Sequence, residues 1–185
     1  MRKERVEIKK LGINGEGIGY INKKICFINN ALPNEIVDVE IVEENRKFLK
    51  GKVVSYIQKS KDRVESICKE DKNCQGCSLT ALDYQQHAPF KKGILKDALK
   101  KYTEFDVDHL PIQHVRACQV SKGYRKVASL PITYFKGKVN VGIYQRESKY
   151  LTLMNNCPMQ DLLINQCLVK IEDILNECKA RDYND

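Results

Sequence analysis

This chain lacks a run of apolar residues long enough to cross a membrane or to serve as a secretory leader. Its start, MRKERVEIKKLG, instead alternates charged and apolar side chains. A cytoplasmic setting without a membrane partner is the expectation. There is no internal repeat and no low-complexity segment. No strand, glycine loop and helix occur in succession with a following acidic residue, as a Rossmann-type cofactor site requires. The glycine-rich stretch NGEGIG (14–19) leads into another strand, which excludes a nucleotide loop there. The three histidines, His87, His109 and His114, share no motif, so no histidine centre has a candidate. Acidic residues are almost missing from one region: residues 111–158 hold 8 Lys and Arg against 1 Asp or Glu, a local excess of +7. The flanking counts are +3 for residues 1–57, +1 for 58–110 and −3 for 159–185, within a net charge of +8. Basic charge so localised suits a polyanionic partner better than a uniformly basic surface does.

What is present reads as an α+β chain, mostly β, and 185 residues suffice for one larger domain or two small ones. Five short strands are expected in residues 1–57: RVEIKKLG, GIGYI, KICFI, EIVDVEIVEE and FLKGKVVSYI. Val37, Val39 and Ile41 alternate with Asp38 and Glu40, the period of a half-buried strand. Gly15, Gly17 and Gly19 suit a bulge or sharp bend, and LPNE (32–35) suits a turn in which Asn34 takes the left-handed region. With no helix between the strands, the expected architecture is a small OB-like barrel. A polar linker (58–66) and a cysteine loop follow, then a helix over about 83–102, with Phe90, Ile94 and Ala98 on one stripe and Leu95, Leu99 and Tyr102 beside them. GYRKVASLPITYF, a turn at KGK, VNVGIYQR and KYLTLM predict an antiparallel sheet. A last helix is expected over about 158–180, with a core stripe of Leu163, Cys167, Ile171, Ile174 and Cys178.

Eight cysteines in a reducing compartment point to metal ligands rather than disulfides. Cys68, Cys74 and Cys77 follow a C-x5-C-x2-C spacing. Cys26 lies in an apolar strand, and Cys167 and Cys178 lie on the expected helix stripe, so these three read as small buried hydrophobes. Cys118 has no partner motif. Cys157, in a loop and followed by Pro158, is the candidate fourth ligand, with 79 residues separating it from Cys77. Four thiolates could hold tetrahedral zinc or an iron–sulfur cluster. A triplet with a distant singlet suits a cluster better than the paired spacing of structural zinc, while zinc and no metal at all remain open on spacing alone. A radical-SAM arrangement needs C-x3-C-x2-C, which is absent.

These pieces together resemble the N-terminal part of the bacterial 23S rRNA (uracil-5-)-methyltransferase family, in which a TRAM domain precedes a [4Fe–4S]-binding central domain. The resemblance is carried by Gly15, Gly17, Gly19 and LPNE (Pro-Gly-Glu being usual there), by CKEDKNCQGCSLTALDYQQH with Gly76 and Tyr84, by GYRKVA (123–128), and by GIYQRESKYLTLMNNCP, where Ser148-Lys149 replaces the usual Ser-His. It implies a TRAM barrel over residues 1–57 and a cluster-binding α+β domain over 58–185, with two main helices and an antiparallel sheet. It also implies Cys68, Cys74, Cys77 and Cys157 as ligands of a [4Fe–4S] cluster with a structural role. S-adenosylmethionine would be used only by a catalytic domain, which this sequence is expected to lack. No catalytic residue is assigned, and the chain by itself is expected to be inactive.

Candidate RNA contacts combine cations with rings. On the barrel they are Lys23, Lys24, Arg46, Lys47, Phe48 and Lys50; Lys23 and Lys24 equally suit a plain hairpin turn. In the basic region they are Lys122, Tyr124, Arg125, Lys126, Tyr144, Arg146 and Lys149, which a solvated sheet face would also explain. The expected partner is structured RNA, 23S rRNA above all, bound by a monomer. Two rivals come from other classes: a zinc-binding nucleic-acid adaptor and a small iron–sulfur electron-transfer protein.

Overall fold

The computed structural model describes residues 2–71, 73, 74, 76–145, 148 and 150–181. It is a mostly-β α+β chain with a six-stranded sheet, a three-stranded sheet and two long helices. Its residues group into two compact units interleaved in sequence: residues up to Glu65 with Ser78–Ala117, and Ser66–Cys77 with the residues from Cys118 on. No helix among the described residues is long and apolar enough to cross a membrane.

In the first unit, β1 (Lys3–Glu7) and β2 (Lys10–Leu11) are halves of one bent segment. β3 (Gly17–Ile21), β4 (Lys24–Asn29), β5 (Ile36–Glu44) and β6 (Phe48–Gln58) complete a sheet of order β1-β5-β6-β4-β3-β2. Both sheet edges therefore belong to one stretch of chain, which is how a sheet curls into a barrel. At the bend, the Ile8 N–H donates to the Glu35 carbonyl and the Lys9 N–H to the Ile18 carbonyl, each at 2.8 Å. Only β4 and β6 run parallel. The period-two pattern of β5 turns Val37 and Val39 inward, fully buried with Val6, Ile8, Cys26, Ile28 and Leu49. Each such aliphatic side chain contributes about 1.5–3 kcal/mol on burial. Gly19 is required where β3 crosses β1, since a Cβ there would collide with the Val6 side chain. Asn34 takes φ 66°, as the LPNE reading expects.

The polar segment after β6 supplies hydrogen-bond donors to the barrel. The Glu35 side chain has no solvent exposure and accepts four hydrogen bonds. They come from Leu32 N–H (2.8 Å), Ser60 N–H (3.2 Å), Arg63 Nε (2.5 Å) and Arg63 Nη2 (2.9 Å). Arg63 also donates to the Asn30 carbonyl at 2.8 Å and lies 4.7 Å over the Tyr56 ring. A buried carboxylate must find donors, and the polar residues of 58–66 supply them. Helix α1 (Tyr84–Tyr102) starts at Asp83, whose carboxylate accepts from Gln85 N–H. Phe90 and Ile94 line a cavity of about 320 Å³ with Leu11 and Pro33, whereas Leu95 and Tyr102 are exposed.

The second unit holds β7 (Ile132–Phe135), β8 (Lys138–Tyr144) and β9 (Leu151–Leu153) in one antiparallel sheet, with Lys136 and Gly137 at positive φ in the predicted turn. Helix α2 (Leu162–Glu177) packs on β8 through Asn176, which accepts from Val139 N–H at 2.8 Å and donates to the Val139 carbonyl at 3.2 Å. This overturns the expected core stripe: Leu163, Ile171 and Ile174 are exposed, as are Cys167 and Cys178. The helix turns toward the sheet the face that satisfies unpaired backbone groups, with Ile164, Leu168 and Leu175 alongside half-buried. Cys26 is buried as expected, and burial pushes its thiol up to about 11.

Two outcomes are expected. Glu35→Ala should destabilise the chain by about 3–5 kcal/mol, the cost of stranding a buried charge. Asp97→Ala, which breaks the exposed pair to Lys10, should cost under about 1 kcal/mol; urea unfolding followed by circular dichroism compares them. In native alkylation read by mass spectrometry, Cys118, Cys167 and Cys178 should label before denaturant is added, and Cys26 only after unfolding.

Candidate metal centre and nucleic-acid interface

All four candidate ligands fall in the second unit. The Cys74 N–H donates to the Glu70 carbonyl at 2.7 Å, and its Sγ accepts from Gly76 N–H at 3.3 Å. Cys77 Sγ lies 3.7 Å from Arg125 Nη2. Cys157 is buried just before α2, and Asn165 holds its backbone from both sides: Cys157 N–H donates to Asn165 Oδ1 (3.1 Å), and Asn165 Nδ2 donates to the Cys157 carbonyl (3.0 Å). The same carbonyl accepts from Gln160 N–H at 3.1 Å. Asn165 and Asn176, eleven positions apart on one helix face, thus anchor α2 at the cysteine and at the sheet.

The thiols sense one another. Burial raises the Cys77 pKa; Arg125 opposes that rise, and Cys157, Cys74 and Cys68 add to it. Burial likewise raises Cys68, with a backbone hydrogen bond at Glu70 opposing and Cys74, Cys157 and Asp71 adding. Among the described residues, no three or more His, Cys, Asp or Glu side chains are gathered closely enough to hold a metal ion. The donor chemistry nevertheless fits a thiolate-bound group, because thiolate ligands are stabilised by N–H donors and nearby cations, and Gly76 N–H and Arg125 provide both.

The barrel candidates divide by partner. Phe48 meets Phe27 edge to face at 5.7 Å, with Lys50 Nζ 6.0 Å from the Phe48 centroid. Tyr20, opposite Ile25 in register, is exposed on the same side of the sheet. Tyr20 and Phe27 escaped the sequence reading, although each alternates with inward Gly19 and Ile21 or Cys26 and Ile28. Lys24 pairs with Glu44 (2.9 Å) and Lys50 with Glu43 (2.6 Å) within the sheet. Lys23 occupies the β3–β4 turn at φ 67°. Arg46 and Lys47 are exposed in the β5–β6 turn, where Asn45 Oδ1 accepts from Lys47 and Phe48 N–H at 2.9 Å each.

In the basic region, Lys122, Tyr124 and Tyr144 are exposed, and Lys126 pairs with Asp161. Arg125 turns inward to the cysteine loop. Arg146 and Lys149 lie outside the described residues. Beyond the sequence candidates, Phe135 and Tyr150 form an exposed edge-to-face pair at 6.5 Å, with Lys136 5.3 Å from the Phe135 centroid.

The family model of the TRAM domain matches residues 2–54. An uncharacterized RNA methyltransferase of Enterococcus faecalis is 34% identical over 97% of this chain and 40% of its own length. One from Streptococcus agalactiae is 30% identical over 99% of this chain and 41% of its own length. In fold, the chain is similar to the Pyrococcus abyssi tRNA (uracil-54, C5)-methyltransferase solved with S-adenosyl-L-homocysteine, with a TM-score of 0.61, 21% identity, and coverage of 95% of this chain and 37% of that one. The chain thus spans about two-fifths of the length of the curated relatives it matches. It carries a TRAM domain, and along nearly its whole length it is homologous to RNA methyltransferases.

Proposed function

We propose that this chain is the RNA-recognising part of an S-adenosylmethionine-dependent RNA uracil-C5 methyltransferase, with 23S rRNA as the expected target. Cys68, Cys74, Cys77 and Cys157 would hold a [4Fe–4S] cluster. The observation that carries the reading is a TRAM domain at the head of a chain that aligns over 97% of its length with an RNA methyltransferase. Tyr20, Phe27 and Phe48 offer faces on which unpaired bases stack, at about 1–3 kcal/mol per base. Lys23, Arg46, Lys47 and Lys122 offer exposed charge to phosphates. The cluster, when bound by four protein thiolates, supplies a cross-link and no open iron for chemistry. The chain's own part is to bind and orient RNA.

Anaerobic purification with metal analysis is the first test. Four irons with acid-labile sulfide, lost in Cys157→Ala and kept in Cys26→Ala, would support the reading. One zinc and a colourless sample would favour the zinc-binding adaptor instead, and a cluster reduced by a dedicated redox partner, without RNA binding, would favour the electron-transfer protein. Filter binding of ribosomal RNA fragments across a salt series is the second. Log affinity should fall with log salt by about 0.7–0.9 per phosphate contact. Lys122→Ala should lower that slope by roughly one contact, Phe48→Ala should cost about 1–3 kcal/mol, and Lys170→Ala on the acidic final helix should do little. Equal losses from Lys122→Ala and Lys170→Ala would reduce the basic region to a solvated face.

A further inference from the structure

We propose that Arg125 is a positioning residue of the cysteine centre and not an RNA contact: it joins the segment carrying Cys157 to the loop carrying Cys74 and Cys77. The inference rests on reading the four cysteines as one metal-binding set. Its main chain does half of this. Arg125 N–H donates to the Met159 carbonyl, and Asp161 N–H donates to the Arg125 carbonyl, both at 2.9 Å, so Arg125 runs parallel beside Gln160. Gly123 N–H adds a bond to the Pro158 carbonyl at 3.0 Å. Residues 123–125 are therefore stitched along the turn that follows Cys157.

The side chain does the other half. Arg125 Nη2 donates to the Gly76 carbonyl at 2.5 Å and lies 3.7 Å from Cys77 Sγ. The fit around Gly76 is close: a Cβ there would stand 3.3 Å from Cys74 Sγ and 3.4 Å from Arg125 Nη1, so both would have to give slightly. The Arg125 guanidinium also lies 5.9 Å from the centroid of the neighbouring Tyr124 ring. Tyr124 and Lys126 face solvent, and Lys126 is neutralised by Asp161, while the Arg125 guanidinium is half-buried against sulfur. A guanidinium stays charged at any working pH and donates in a rigid fork, so it can grip a carbonyl and balance a thiolate together. Charge near the sulfurs and hydrogen bonds to them are what tune such a group's stability and potential.

The test uses the whole chain, loaded anaerobically with ferrous iron and sulfide, in three forms: parent, Arg125→Gln and Arg125→Lys. Arg125→Gln should give up iron to a chelator with about 10–100-fold weaker retention, the range for residues supporting metal ligands. Its remaining cluster should be reduced at a more negative potential, because the added electron loses a compensating positive charge. Arg125→Lys should recover much of the potential but not the retention, since it keeps charge and loses the fork. RNA affinity and its salt slope should stay those of the parent in both variants. If Arg125→Gln fails to fold, Arg125→Lys still reads retention against potential. Parent-like iron retention and potential in the variants, or a drop in RNA affinity matching Lys122→Ala, would overturn the inference while leaving the cluster reading intact. A parent chain that takes up no metal would overturn both.

Discussion

A carboxylate sealed from water, that of Glu35, constrains the first unit more than any other group. A buried charge is tolerated only when its oxygens are fully bonded, and here the donors come from both sides in sequence: Leu32 just before it, Ser60 and Arg63 well after it. Meeting that demand pins the LPNE turn against the end of β6 and folds the following polar segment onto the barrel. Arg63 reaches on to the Asn30 carbonyl and the Tyr56 ring. The hydrophobic core of Val6, Ile8, Val37 and Val39 provides most of the burial, yet it is non-directional. The ion pair adds the directionality.

The second unit solves a related problem with amides. Asn165 and Asn176 each give two hydrogen bonds to non-helical backbone, at Cys157 and at Val139. Backbone groups buried without partners are expensive, so these bonds set the rotation of α2 in preference to its better apolar stripe. The stripe of Leu163, Ile171 and Ile174 is left in solvent. Cys157 gains a fixed backbone in return.

The proposed nucleic-acid surface looks different in the fold from a list of basic residues. Several cations are internally committed: Lys24 and Lys50 to acidic residues of β5, Lys126 to Asp161. Exposed pairs of this kind are weak and can exchange an acidic partner for a phosphate. The rings carry more of the distinctive character, with Phe27 and Phe48 on one unit and Phe135 and Tyr150 on the other. They present flat apolar faces beside positive charge, the combination that suits unstacked bases.

Local rules made much of this legible in the sequence. Period-two alternation gave the β5 strand and its buried valines, the left-handed tolerance of Asn34 gave its turn, Asp83 gave a helix start, and KGK gave a hairpin. The C-x5-C-x2-C spacing with a remote Cys-Pro nominated the cysteine set, and all four of its members fall in the second unit. Tertiary structure decided what depends on a partner far along the chain. It decided that Glu35 would be met by Arg63, that α2 would turn its asparagines inward and expose Cys167 and Cys178, and that Arg125 would face a sulfur while its neighbour Lys126 faced solvent. Periodicity reports how apolar each side of an element is. It says nothing of which distant backbone or charge must be satisfied, and those demands chose the orientation wherever the two disagreed.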